Sequence, residues 1–246
     1  MKELIKDDMK FLSFNDDNVS INFSTAFNKI DFKKSAIEGK KNIQRLEDIF
    51  ALDNVLYLNQ IHSDKIIDCK DNLIAPKGEI DGDAIITNKK NVGIGVFAAD
   101  CTPVIVYDKE KQVIAAIHSG WRGTFDEIAK KTCKYMIDNY GCNNLDVIIG
   151  PHIRQCCYEV SRELAEKFQR KFGDEVVDNR NLSLEKCIIS QLSGIVNMTN
   201  IKSLGKCTFC DTSEEFHSFR KTGKNSGRLF AFISVSYTHL TLPTIR

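Results

Sequence analysis

One cysteine and two histidines in this chain each follow an apolar run and sit where a strand should give way to a loop. Cys101 follows the run in GVFAADCTPV, His118 follows the run in AAIHSGWRGT, and His62 lies in YLNQIHSDKI. Loops at strand ends can present such side chains to a ligand. A thiolate and two imidazoles converging from separate elements form a donor set for zinc that leaves one coordination position for water or substrate. The same residues admit a metal-free alternative. Cys101 could act as a nucleophile with His118 as its base and Asp100 or an Asn as the orienting group, the arrangement of a cysteine hydrolase or amidase. Taken singly, each residue also has a structural explanation, because a cysteine after a strand commonly packs and a single histidine commonly hydrogen-bonds. No short motif such as H-E-x-x-H decides between these readings.

The elements that must position these residues follow from the apolar pattern. Residues 92–99 and 113–117 read as buried strands, with 108–112 as the turn of a hairpin. Residues 10–23 read as a hairpin around Asn-Asp-Asp-Asn, and residues 55–58 and 66–69 as strands flanking NQIHS. Residues 71–79 form a polar loop, followed by a turn centred on Gly82 and another strand. A helix follows Phe27, with Ser35 and Glu38 at capping-box spacing and Ile37, Ile43, Leu46, Ile49 and Phe50 on one face. A second has Thr124 and Glu127 at the same spacing, a stripe through Phe125, Ile128, Ala129, Thr132, Tyr135 and Met136, and Gly141 at its end. Strands are predicted at 145–149, 204–209 and 227–233, and helices at 162–172 and 184–195. With no internal repeat or linker, the pattern predicts one α+β (mixed α/β) domain over residues 1–233. Residues 234–246 (SVSYTHLTLPTIR) extend none of this pattern and read as a segment foreign to the native end, so His239 is left out of any ligand set.

Composition narrows the partners. A formal net charge of +1 gives no basic footprint of the kind that nucleic-acid or membrane-surface binding leaves, so a small-molecule ligand is expected. No apolar run is long enough to span a bilayer, and MKELIKDDMK lacks the apolar core of a signal peptide, which makes a cytoplasmic location the default expectation. The nine cysteines are scattered instead of framing short loops, which suits free, mostly buried thiols. Cys207 and Cys210 form a C-x-x-C that invites a redox or zinc reading. No second pair stands near it in sequence, and Cys156 and Cys157 are expected to pack.

Six stretches together, NQIHSD, DGDAIIT, GVFAADCTPV, AAIHSGWRGT, IGPHIRQCCYEV and CTFCDTSEEFHSFRKTGKNSGR, resemble the bacterial laccase-domain family, also called multicopper polyphenol oxidase-like or YfiH-type. The resemblance runs in order from about residue 58 to residue 230, and ADC…IHSGWRGT is its most specific part. It implies a single domain of mixed sheets layered with helices, and a zinc held by His62, Cys101 and His118. The implied activity is zinc-dependent phosphorolysis of adenosine, inosine and methylthioadenosine to free base and ribose 1-phosphate or its methylthio analogue, with accompanying adenosine deaminase activity.

Those reactions suggest roles. Deamination needs a proton shuttle near the metal. Without an H-x-E, the candidates are Asp81, Asp83 and Asp100, each of which could instead orient a histidine ligand. Asp100, beside Cys101, is the one taken as catalytic, with Cys101, His118 and Arg122. Phosphorolysis needs guanidinium or amide donors for phosphate, for which Arg122, Arg220 and Arg228 are candidates. Lys221 and Lys224 read as solvated surface, and the loop 223–227 as a plain turn. Trp121 could stack on a purine or belong to the core.

The chain departs from the family pattern in two places. Ala26 stands where an arginine is expected in a shortened loop, and His217, Phe219 and Lys221 replace Phe, Tyr and Arg in the FFSYRR stretch. A lost hydroxyl and a lost bidentate fork bear on substrate preference more than on metal binding. Copper oxidation of polyphenols ranks below the hydrolase, since the chain lacks clustered His-x-His pairs. A metal-binding or regulatory module would require a metal with four protein ligands.

Overall fold

The computed structural model describes residues 1–70 and 76–236. In chain order the first strands are β1 (Lys2–Lys6), β2 (Met9–Asp16), β3 (Val19–Ser24), β4 (Asn54–Asn59), β5 (Ile66–Asp68), β6 (Lys77–Asp81) and β7 (Ala84–Thr87). They are followed by β8 (Val92–Ala98), β9 (Thr102–Asp108), β10 (Val113–Ser119), β11 (Asp146–Ile149), the short pair β12 (Val177–Asp178) and β13 (Asn181–Leu182), β14 (Ile201–Ser203) and β15 (Leu229–Val235). The α-helices are α1 (Ile37–Ile49), α2 (Trp121–Phe125), α3 (Ile128–Tyr140), α4 (Arg162–Phe172), α5 (Leu184–Leu192) and α6 (Phe219–Thr222).

Two mixed sheets stack face to face. One has the order β1-β2-β3-β15-β8-β4-β6, the other β14-β11-β9-β10-β7-β5. Alternate residues of each strand serve different layers. Ile105 and Tyr107 of β9, with Ile114 and Ala116 of β10, meet Ile94, Val96, Ala231 and Ile233 between the sheets. Their neighbours Val104, Val106, Ala115 and Ile117 pack on Ile128, Ala129, Cys133 and Met136 of α3 and on Ile188 and Leu192 of α5. On the far side, Phe11, Tyr57, Phe97, Phe230 and Phe232 cover Ile43 and Leu46 of α1. The result is a four-layer helix-sheet-sheet-helix sandwich, which explains why β8 and β10 read as continuous apolar runs: both faces of each strand are buried, as they are in β9 between them in the chain.

Several sequence expectations need correction. Neither capping box forms. α1 begins at Ile37 after an extended Ala36 with no side-chain cap, and Ile37 itself is exposed. Thr124 lies inside α2 with its hydroxyl paired to that of Ser119 at 2.8 Å, while Glu127, at φ 60°, breaks the chain before α3. Tertiary contacts outweigh local capping at both ends. The strand predicted at 204–209 lies earlier, at β14, and residues 208–210 form a turn. Where a loop was expected, β6 pairs with β4 at the sheet edge; residues 71–75 of that stretch lie outside the described residues. β1 was not anticipated. It is an edge strand whose residues are mostly exposed, so no buried face marks it in the sequence. β15 runs two residues past the expected domain end, with Ser234 and Val235 buried and paired to Ser20 and Val19. The remainder of the foreign-looking segment, residues 237–246 with His239, lies outside the described residues.

Phe230 ties two layers together. It stacks between Phe32 and Phe232, and it lies so close over Gly95 that a Cβ there would stand 2.4 Å from its ring. Phe230→Ala is expected to cost about 3–5 kcal/mol. Urea unfolding would measure the loss, and a change below about 1 kcal/mol would mean the layer collapses around the cavity.

Candidate functional site

Strand register brings the reactive residues together. β9 and β10 form an antiparallel hairpin in which Pro103 faces His118 and Thr102 faces Ser119, so Cys101 sits at its open end beside the histidine. β7 pairs with β10 on the other side, Ala84 facing Ile117, which places Asp83 next to His118; the His118 N–H donates to the Asp83 carbonyl at 2.7 Å. β5 lies parallel to β7, so the connection from β4 to β5 carries His62 over the same strand ends. The nitrogens of His62 and His118 and the Cys101 sulfur lie within 4.8 Å of one another and could hold a metal ion. His62 Nε2 is 3.9 Å from Cys101 Sγ, and the imidazole rings stand edge to face with centroids 4.8 Å apart.

The fully buried carboxylate of Asp83 organises this set. It accepts backbone N–H groups from Ile61, His62 and Ser63 at 3.2, 3.0 and 2.7 Å, the Ser63 hydroxyl at 2.8 Å, and His118 Nδ1 at 2.8 Å. Burial alone would raise its pKa, but the hydrogen bonds from His118 and Ser63 and the His118 charge hold it below the usual carboxylate range. A charged carboxylate only accepts, so His118 carries its proton on Nδ1 and turns Nε2 toward Cys101. Asp83 therefore orients His118. Asp81, whose carboxylate accepts from Asn59 at 2.6 Å, is not among the residues lining the cavity.

Two site residues hold left-handed backbone, His62 at φ 61° and Asp100 at φ 90°, a strain of about 1–3 kcal/mol each that clusters at functional positions. Gly120 is required by proximity, because a Cβ there would stand 3.1 Å from both Cys101 Sγ and His62 Cδ2. Burial works against charge on Cys101 and His118, but each stabilises the other's ion, with Asp83 supporting the imidazolium. The Cys101 thiol is lowered to about 6 and His118 is raised to about 9. A donor set with a thiolate at neutral pH and an imidazole already oriented fits a zinc ion.

These residues floor a cavity of about 610 Å³. Its walls carry Lys33, Lys34, Arg220 and Arg228, opposed by Asp100, and an aromatic set of Phe97, Tyr158 and Phe219. Asp100 accepts from the Thr208 hydroxyl at 2.7 Å and from the Arg220 N–H at 2.6 Å, tying two loops to the cavity rim. The Arg220 guanidinium donates to the Glu159 carbonyl at 3.0 Å and covers Tyr158, and that of Arg228 donates to the Ser226 and Gly227 carbonyls. Gln60 pairs with the Phe97 backbone at 2.8 and 2.7 Å. Lys33, Lys34 and Tyr158 carried no sequence signal of their own, although Gln60 and Tyr158 stand inside the quoted motifs.

Trp121 and Arg122 lie elsewhere. The guanidinium of Arg122 covers the Trp121 ring at 4.4 Å, and Trp121 packs with the α4 cluster; neither lines the cavity. Of the departures from the family pattern, only Phe219 faces it. Ala26, His217 and Lys221 line a different concavity. The expectation that no second pair accompanies Cys207 and Cys210 is also corrected: Cys156 and Cys157 stand beside them.

The family described as multi-copper polyphenol oxidoreductase laccase matches residues 19–236. The chain belongs to that family. A purine nucleoside phosphorylase of Clostridium acetobutylicum is 43% identical over 232 residues, 92% of this chain and 96% of that one. Another, of Aquifex aeolicus, is 37% identical over 169 residues, 66% of this chain and 74% of the relative. Among solved structures, YfiH of Bacillus licheniformis superposes with a TM-score of 0.81 at 22% identity, covering 93% of this chain and 97% of that one. YlmD of Geobacillus stearothermophilus gives 0.77 at 19%, covering 90% and 93%. The family fold and the layered α+β sandwich described above are the same.

Two outcomes are expected. In metal-stripped protein, Cys101 should alkylate with a midpoint near pH 6, well below an ordinary thiol, and zinc should protect it. Because its folded pKa is depressed, its stabilising contribution is complete only above the ordinary thiol value of 9.0 and is lost as pH falls through about 6. His118 is raised, so its contribution is complete below 6.5 and lost as pH rises through about 9. An alkylation midpoint at or above 8.5 would rule out the ion pair. Asp83→Asn should weaken zinc binding about 10–100-fold in a chelator competition, and unchanged affinity would deny Asp83 its orienting role.

Proposed function

We propose that this protein is a zinc-dependent purine nucleoside phosphorylase acting on adenosine, inosine and methylthioadenosine, with adenosine deaminase activity at the same site. The observation that carries the reading is the pairing, in one cavity, of a His62/Cys101/His118 donor set with four cations and three aromatic rings. The 43% identity to a protein named purine nucleoside phosphorylase, over nearly the full length of both, supports it.

A zinc ion held by the three donors would supply Lewis acidity at the cavity floor. The rest is work for the chain's own groups. Arg220, Arg228 and Lys33 bind phosphate and set one of its oxygens in line with the ribose C1′, where a C–O bond forms as the C1′–N9 bond breaks and the purine departs with the electron pair. Arg220 and Arg228 suit this because carbonyl contacts pre-orient their guanidinium groups. Phe97, Tyr158 and Phe219 enclose the base and exclude water; Phe219 is about half exposed at the mouth and stacks once a base enters. Asp100 acts through Arg220, whose backbone it holds, so it is a positioning residue in this scheme. Outside the cavity, Trp121 packs on the same apolar cluster as Tyr158, and Arg122 covers Trp121.

The cysteine hydrolase remains the competing account, favoured by the chain of contacts from Cys101 through His118 to Asp83. Against it stands His62, a second imidazole 3.9 Å from the sulfur that a hydrolase does not need.

Chromatography of adenosine, inosine and methylthioadenosine with and without phosphate separates the two. Phosphate-dependent release of free base, abolished in Cys101→Ala together with the zinc of the His62/Cys101/His118 set, is the expected result. Arg220→Ala should raise the KM for phosphate at least about tenfold with zinc content unchanged. Activity on amides in metal-free protein, with no base release, would overturn the proposal.

A further inference from the structure

The fold brings together a second group of potential metal donors, well separated in sequence from the first. Cys156 and Cys157 lie in a turn after β11, and Cys207 and Cys210 in the turn after β14, yet all four sulfurs lie within 4.8 Å of one another. All four thiols are free, and Cys156 Sγ and Cys210 Sγ are 3.6 Å apart.

That spacing discriminates among the uses of four cysteines. Zinc–thiolate bonds of about 2.3 Å in a tetrahedron require sulfurs about 3.8 Å apart, which is the separation approached here. A disulfide would use two of the four and leave the other pair unexplained. A multi-iron cluster inserts sulfide bridges between its metals and spreads its cysteine sulfurs further than this group allows.

The surrounding backbone is built to hold the two turns together. His152 and Cys207 form a parallel bridge, with the His152 N–H donating to the Lys206 carbonyl at 3.2 Å and the Thr208 N–H to the His152 carbonyl at 2.9 Å. The Arg154 N–H points at the Cys207 sulfur at 3.5 Å, the contact that stabilises a metal-bound thiolate. The Arg154 guanidinium donates to the Gly205 carbonyl at 3.1 Å, and the Cys157 N–H closes its own turn on the Arg154 carbonyl at 2.9 Å.

We infer that Cys156, Cys157, Cys207 and Cys210 form a structural zinc site, distinct from the His62/Cys101/His118 set, that staples the turn at 155–157 to the turn at 207–210. Four protein ligands close the coordination sphere, as structural zinc requires. The staple bears directly on the cavity. Tyr158, adjacent to Cys157, lines it, and Thr208, adjacent to Cys207, donates its hydroxyl to Asp100.

Metal analysis of the purified full chain tests this independently of any activity. Cys101→Ala with His62→Ala should retain about one zinc per chain, and X-ray absorption at the zinc edge should give an all-sulfur shell at about 2.3 Å. Cobalt(II) added to the zinc-stripped double variant should develop thiolate charge-transfer bands and the intense visible absorption of a tetrahedral thiolate site. Adding Cys207→Ser and Cys210→Ser should abolish both signals. If those replacements prevent folding, the absorption edge of the first variant still decides. Absence of metal in that variant, nitrogen in the zinc shell, bound iron, or a mass two hydrogens low from a disulfide would each overturn the inference.

Discussion

A buried carboxylate governs the arrangement of the site. Placing Asp83 in the interior would be costly if it were alone, and removing its partners would leave an uncompensated charge. Five hydrogen bonds offset that cost, and each fixes something needed nearby. Three set the backbone of the turn that carries His62, and a fourth secures Ser63 in that turn. The fifth fixes the tautomer and ring orientation of His118. One anion thus places two donors from different elements, with Cys101 supplied by the hairpin next to it.

The sandwich around this point makes the placement rigid. Both sheets are covered on both faces, so the strand ends bearing Cys101 and His118 cannot shift without disturbing packed layers. Close approaches at Gly95 and Gly120 leave little room for adjustment. The cavity walls are made differently, from loops before α1, after β11 and around α6 that are tied back through Asp100, Arg220 and the turn at 207–210. A rigid floor with walls supplied by loops is an arrangement that allows substrate preference to change while the donor set stays constant.

The elements legible in advance were those with a strong burial signal. The apolar runs at β8, β10 and β11 are clear because both faces are covered, and α4 and α5 because each has an apolar stripe. The elements missed or displaced, β1, β6 and β14, have little buried surface and depend on a neighbouring strand. The two capping boxes failed for a related reason: the spacing was present, but Thr124 found a closer partner in Ser119 and Ala36 took the cap position. Propensity is a local preference, and long-range packing overrides it.

The sequence by itself determined the residue types that can do chemistry, their position at strand ends and the family to which the chain belongs, because strand runs and contiguous motifs are local patterns. Which carboxylate serves which histidine, which cations face the donors, and which cysteines meet were decided only by tertiary structure. Asp83 and His118 are 35 residues apart and His62 and Cys101 39, so their contacts arise from strand register and sheet order, which no short stretch encodes. Arg122 illustrates the same limit from the other side: it is adjacent to the site motif in sequence, yet its helix turns it onto Trp121, while Arg220, 120 residues from Asp100, is held at the cavity by that carboxylate.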